Sequence, residues 1–357
     1  MSKTIYKNAL IDGNLTDITV ENGKIISLDK TDACGIDLNG KKTFAGLIDI
    51  HTHGCIGLDV TENAEDLEKI AVYQAENGTT SFYPTTVTDT EEKMLNAVSQ
   101  NTENFKGANI LGFHMEGPYI SPERPGALNP DYILKPDLDG FKKYPNVKIV
   151  TVAPEVEGVG DFIKKCNTLV CLGHSIGNYE SACDAADAGA KCLTHTFNAM
   201  PPLLHREPAL IGAALDKDMY AQVISDGIHI HPSAVRALYK MFGKNRMILI
   251  SDSVQATGIE DGEYVFGGVP VVLKDGIVRT KESGALAGST SNLLTCVKCA
   301  ISFGIPEKDA FEMASKTPAE MMNLNKGKLE VGYDADFITV DDEYNICNVI
   351  IDGEIFK

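Results

Sequence analysis

The sequence predicts an α/β protein: a (β/α)8 TIM-like barrel with a small β-sandwich domain built from both termini. Three observations carry this. Eight β-forming runs recur through the middle of the chain, at 47–50, 80–83, 110–114, 148–152, 170–172, 192–194, 221–224 and 247–250, most of them separated by helix-like stretches. That alternation is the mark of parallel strands joined by crossovers. Five of these runs are closed by metal-type ligands or a carboxylate: His51 and His53, Glu116, His174, His195, and Asp252. Five sets of ligands in order, at the same end of their strands, meet at one point only if parallel strands close into a ring, with the site at its C-terminal mouth. Finally, both ends of the chain are rich in short strands and turns, which suggests that they pair with each other.

Taken in order, residues 1–45 form the N-terminal part of the small β domain. Asn22-Gly23 between apolar runs is a hairpin signal. Residues 46–326 form the barrel. Within it, a stretch near 262–290 breaks the pattern and reads as a hairpin insertion ending in a glycine loop. Residues 327–357 return to the β-rich texture and complete the small domain.

Composition narrows the function. The 357 residues are 43% hydrophobic, enough for an ordinary core, and carry a formal charge of −18 with only five arginines. Such a balance argues against nucleic acid and anionic membranes as partners. An anionic substrate would be held by a few placed donors. No run approaches the roughly 20 apolar residues that span a bilayer, and the N-terminus has no apolar signal core, so a cytoplasmic protein is expected. Nine cysteines, an odd count, argue for free thiols. The Cys296/Cys299 pair has the spacing of a metal motif but no second pair, and reads as structural.

His51 and His53 lie two apart and share one side of a strand, and neutral imidazoles suit Zn2+ or Fe2+. A carboxylate at Glu116 can bind one ion or bridge two. His114, two residues earlier, reads as a core or supporting residue. Glu116, His174 and His195 make a three-ligand set with an open position, as a catalytic ion requires. Asp252 can take a proton from water and pass it to a leaving nitrogen. His229, after the seventh run, is placed to polarise a carbonyl. Backbone amides near Asn198, with the Arg206 guanidinium, can hold a phosphate. No glycine-rich nucleotide motif is present.

Together these residues resemble the amidohydrolase superfamily and, within it, the N-acetylglucosamine-6-phosphate deacetylase family. The resemblance spans essentially the whole chain. It rests on Gly-Leu-Ile-Asp-Ile-His-Thr-His at 46–53, Gly-Phe-His-Met-Glu-Gly-Pro-Tyr at 112–119, Gly-His-Ser at 173–175, Thr-His-Thr-Phe-Asn-Ala-Met at 194–200, His-Arg-Glu-Pro at 205–208, Ser-Asp-Gly-Ile-His at 225–229, Ser-Asp-Ser at 251–253 and Leu-Ala-Gly-Ser at 286–289.

The resemblance implies hydrolysis of the acetamide of N-acetyl-D-glucosamine 6-phosphate, in amino-sugar catabolism or recycling, with one or two divalent ions, Zn2+ or else Fe2+. Glu116, His174 and His195 match the primary metal site, and His51 and His53 a second one. Asp252 matches the catalytic acid/base and His229 the carbonyl-polarising histidine. Asn198 and Ala199 match phosphate contacts. Arg206 matches an arginine that reaches the neighbouring subunit's phosphate, which implies a homodimer. Leu128 departs from the pattern, standing where some members carry a polar substrate contact. The rival expectations are a related amidohydrolase acting on an unphosphorylated amide, and a barrel that has lost catalysis.

Overall fold

The computed structural model describes residues 3–357. Eight parallel strands form the barrel wall: Leu47–Thr52, Thr79–Thr86, Phe113–Glu116, Val147–Val152, Leu169–Leu172, Cys192–Leu193, Tyr220–Ile224 and Met247–Ile250, each paired with the next. No ladder joins the eighth strand to the first among the described residues. The seam is instead bridged near the mouth. Asp252 N–H donates to His51 O at 2.9 Å, and Ser251 N–H donates to the buried Asp49 carboxylate at 3.4 Å.

Strand alternation divides the core into two layers. Val170 and Leu172 pack outward with helix residues such as Ala182, Leu210 and Val235. Cys171 between them faces an interior cluster with Ile149, Cys192, Ile224 and Ile248. Each aliphatic side chain buried in this way contributes about 1.5–3 kcal/mol. Helices Leu67–Glu76, Tyr179–Ala188 and Pro232–Phe242 are among those that cover the outside. The last of these starts with proline in its first turn and is capped by the His231 side chain, which accepts from Ser233 N.

The third strand departs from expectation. The run 110–114 is split: Asn109–Ile110 pairs only with the second strand, and Phe113–Glu116 pairs with the second and fourth. Gly112 makes the break. Its φ is +128°, and a Cβ there would lie 2.4 Å from Lys148 Cγ, so only glycine lets the strand turn against its neighbour.

Strands from both ends of the chain share one sheet. Phe337–Val340 lies antiparallel to Lys42–Ala45, which adjoins Lys3–Ile11. The Asn14–Glu21 and Lys24–Ser27 strands form the hairpin expected at Asn22-Gly23, where both residues have positive φ. The insertion is a three-stranded antiparallel sheet of Gly262–Phe266, Val269–Lys274 and Ile277–Thr280. All nine cysteines are free thiols, with Cys296 and Cys299 inside the helix Leu293–Ser302. Among the described residues no helix is long and apolar enough to cross a membrane.

Candidate metal centre and active site

The strand ends position the site. His174, His195 and Asp252 each follow a barrel strand, and each has left-handed backbone, with φ of 46°, 27° and 48°. Such geometry costs non-glycine residues about 1–3 kcal/mol apiece and gathers at functional sites. Here it reverses the chain abruptly at the mouth. Glu116 ends the third strand, where Thr88 Oγ1 donates to its carbonyl oxygen at 2.8 Å.

Five expected ligands converge. Glu116 Oε1 lies 2.9 Å from His195 Nε2 and 3.1 Å from His174 Nε2. Its Oε2 lies 3.2 Å from His53 Nε2. His174 and His195 Nε2 are 3.0 Å apart, and His51 and His53 Nε2 are 3.1 Å apart. The five side chains make two groups that share Glu116, and all five are buried.

The outer ring nitrogens show what those inner atoms are prepared for. His53 Nδ1 faces the Thr85 carbonyl at 3.1 Å, and His174 Nδ1 faces the Arg124 carbonyl at 3.0 Å. A carbonyl only accepts, so each Nδ1 carries a hydrogen, and the neutral ring then presents a lone pair at Nε2. Bare lone pairs about 3 Å apart repel. One cation held at about 2.0–2.1 Å from each nitrogen separates them by about 3.0–3.4 Å and removes the repulsion. The donor set therefore fits a divalent ion.

Electrostatics agree. Burial pushes His53 down, but the Asp252 and Glu116 carboxylates outweigh it and hold the imidazole up at about 10, so Nε2 takes up a proton unless another cation takes that place. Two buried carboxylates are calling for positive charge at this point. Burial pushes Asp252 up, yet His51 and His53 beside it hold the carboxyl down at about 2. It is therefore ionised at neutral pH. Its Oδ1 lies 3.4 Å from His53 Nε2 and 3.5 Å from His51 Nε2.

A cavity of about 450 Å3 opens over this cluster. Asp252, His229, Asn198 and Ala199 line it, with Arg124, Leu128 and Phe266. His229 Nδ1 is 2.7 Å from Asp226 Oδ2, which leaves Nε2 as the ring nitrogen free to meet a ligand. The Asn198 amides are already engaged. Its N–H donates to His195 O at 2.9 Å, and Nδ2 donates to the same oxygen at 3.2 Å. The Ala199 N–H has no partner among the described residues.

Arg206 is not brought to this cavity. It is exposed and lines a separate surface hollow with Ile176, Leu204 and Pro208. His114 has both nitrogens occupied, at 3.0 Å from Ile50 O and 2.9 Å from Thr151 Oγ1, in line with a supporting place. Leu128 is buried in the cavity wall.

Sequence reasoning passed over four residues. Asp226 sits inside a quoted motif, three positions before His229, and its pairing was open to detection there. Phe266 arrives from the insertion, with its ring centroid 5.4 Å from that of His53. Arg124 contributes a cavity-lining guanidinium that has no protein partner among the described residues. Gln222 lies 3.0 Å from His51 Nδ1 through its Oε1.

A model of the amidohydrolase family matches residues 43–356. The chain belongs to the amidohydrolase family. Among its relatives, an N-acetylglucosamine-6-phosphate deacetylase of Vibrio furnissii is 36% identical over 94% of this chain and 89% of that protein. An N-acetylgalactosamine-6-phosphate deacetylase of Escherichia coli O157:H7 is 34% identical over 95% of this chain and 94% of that protein. The crystal structure of N-acetylglucosamine-6-phosphate deacetylase from Thermotoga maritima matches with a TM-score of 0.91 at 30% identity, covering 99% of each chain. The barrel and the clustered histidines and carboxylates are thus those of an amidohydrolase, a hydrolase acting on amides.

Proposed function

We propose that the protein hydrolyses the acetamide of N-acetyl-D-glucosamine 6-phosphate to D-glucosamine 6-phosphate and acetate, in amino-sugar catabolism. The observation that carries this reading is the ionised Asp252 carboxylate beside five converging ligands, in a chain whose full-length relatives are named as deacetylases of amino-sugar phosphates.

The residues divide the work. His51, His53, Glu116, His174 and His195 would hold divalent metal, Zn2+ being the best match to these nitrogen and oxygen donors and Fe2+ the next. Two groups sharing Glu116 favour two ions. When bound, such an ion supplies Lewis acidity, making water more acidic and a carbonyl more electrophilic. Asp252 takes a proton from water as the water oxygen bonds to the acetyl carbon. His229, carrying a hydrogen on each ring nitrogen, gives one to Asp226 through Nδ1 and donates the other from Nε2 to the carbonyl oxygen as negative charge builds there. Asp252 then returns the proton to nitrogen, the C–N bond breaks, and amine and acetate leave.

For the phosphate, the Ala199 N–H is the open backbone donor, beside Asn198. Arg206 stands apart from its own chain's cavity, on an exposed face with Leu204, a placement that favours a homodimer in which it reaches across to the partner's site. A cytoplasmic location suits the phosphorylated substrate and the free thiols.

A second reading concerns the sugar. The galactosamine-type relative covers as much of the chain as the glucosamine-type one, at nearly the same identity, so the C4 epimer is the natural competitor. The test is acetate release from the 6-phosphates of N-acetylglucosamine and N-acetylgalactosamine, alongside unphosphorylated N-acetylglucosamine. Highest kcat/KM on N-acetylglucosamine 6-phosphate is expected. A higher value on the epimer moves the substrate assignment to it. Release from none of the three sinks the reading.

A further inference from the structure

Gln222 lies inside the barrel, mid-strand, buried beneath the clustered histidines and Glu116. Its Oε1 is 3.0 Å from His51 Nδ1, and the same oxygen accepts from the backbone N–H of His195 at 3.5 Å. Its Nε2 points the other way, 3.7 Å from Cys171 Sγ. A side-chain amide can be turned over, exchanging its donor for its acceptor. Here the turn is disfavoured. The His195 N–H is a backbone donor that no tautomer can change, and a flipped amide would set NH2 against it.

The consequence passes to His51. With Oε1 held toward Nδ1, that nitrogen must carry the ring hydrogen, and Nε2 presents its lone pair 3.1 Å from His53 Nε2 and 3.4 Å from Glu116 Oε1. In the opposite tautomer the Nε2–H would project into the ligand cluster and block a cation there. His53 and His174 have carbonyls for this task; among the described residues His51 Nδ1 has only Gln222.

We propose that Gln222 is the positioning residue that commits His51 to metal binding, and that its amide oxygen links the His51–His53–Glu116 group to the Glu116–His174–His195 group through the His195 backbone. The link is one-sided. His195 is placed by its strand and by Glu116, so loss of Gln222 loosens the ion at His51 and His53 and leaves the other in place. This rests on the two-ion reading above.

The experiment measures metal binding directly. Metal-free wild type, Gln222→Met and Gln222→Glu are titrated with Co2+ against a chelator, following the visible spectrum, and bound metal is counted by mass spectrometry. Methionine keeps the length but removes the strong acceptor. Glutamate keeps an acceptor for both N–H groups. Supporting partners of metal-bound histidines typically control affinity by about 10–100-fold. The expected result is two ions in wild type. In Gln222→Met the tighter ion should keep its affinity and spectrum while the second weakens 10–100-fold, and Gln222→Glu should restore the second. Two ions of unchanged affinity in Gln222→Met would overturn the proposal, and so would a glutamate variant as weak as the methionine one. Wild type that binds no metal would instead overturn the metal-dependent function itself. Should Gln222→Met fail to fold, judged by its thermal transition, Gln222→Leu is put through the same titration and read the same way.

Discussion

Asp252 and His51 are connected through both backbone and side chain. The Asp252 N–H donates to His51 O at 2.9 Å, and Asp252 Oδ1 sits 3.5 Å from His51 Nε2. The backbone bond bridges the seam between the last barrel strand and the first, so barrel closure and placement of the proposed base are one event. A carboxylate tethered to the ring in this way has little freedom to drift from the proton it must take.

Asp252→Asn keeps the backbone bond and the shape of the side chain but removes the base. The expected effect is a fall in kcat of about 10²–10⁴-fold, with bound metal unchanged by mass spectrometry. Near-normal turnover would remove Asp252 from the mechanism.

Arg124 lines the cavity with a guanidinium that is unpartnered among the described residues, suited to an anionic group on the substrate. A charge-assisted hydrogen bond is worth about 1.5–3 kcal/mol, or roughly ten- to hundredfold in binding. Arg124→Ala is expected to raise KM for the phosphorylated sugar by that factor and to leave kcat/KM for the unphosphorylated sugar as it was. Equal losses on both substrates would count against a phosphate contact.

Gly112 and Gly160 make a contrasting pair for stability. At Gly112 the backbone has φ of +128°, and a Cβ would meet Lys148 Cγ at 2.4 Å and Asn146 O at 2.8 Å. Strain and overpacking together should cost Gly112→Ala about 2–4 kcal/mol. Gly160 lies in the helix Val159–Lys165 with nothing near its missing Cβ, so Gly160→Ala should stabilise by about 0.5–1 kcal/mol. Urea unfolding of the two variants gives the signs.

Asp17 gives a pH signature far from the site. It is buried and accepts from Asn8 N at 3.0 Å, Thr31 N at 2.9 Å and Lys7 Nζ at 2.7 Å. Burial pushes the carboxyl up, but the Lys7 hydrogen bond and the two backbone donors together hold it down at about 2. A carboxyl depressed in the folded state stabilises above its unfolded value of about 3.9 and loses that contribution as pH falls toward 2. Asp17→Asn should therefore be less stable than wild type by about 1–3 kcal/mol at pH 7. The gap between their denaturation midpoints should start to close below about pH 4. A gap that is constant from pH 7 to pH 3 would contradict this account of Asp17.

Much of the barrel and the convergence of His51, His53, Glu116, His174 and His195 were legible because their signal is local. A short β-forming run that stops on histidine or a carboxylate marks both a strand and its functional end. The break at Gly112 was not legible, since it depends on how closely Lys148 of the next strand approaches. Gln222 was hidden for a related reason. It is one polar residue within a strand, and only the register across the ring sets it beside His51 and His195. Asn198 was read as offering backbone donors to phosphate, but the tight turn after His195 occupies its N–H, and only the fold shows that the Ala199 N–H remains open. Arg206 was read as holding phosphate beside Asn198, and by resemblance as reaching a partner's site; a single chain places it on a different face from the cavity.

The most direct test of a metal-dependent deacetylase is acetate formation from N-acetylglucosamine 6-phosphate by one preparation in three states: as purified, stripped by chelator, and reloaded with Zn2+. The account predicts activity in the first, loss in the second and recovery in the third as metal returns to the protein. Stripped protein that released acetate as fast as reloaded protein would contradict it.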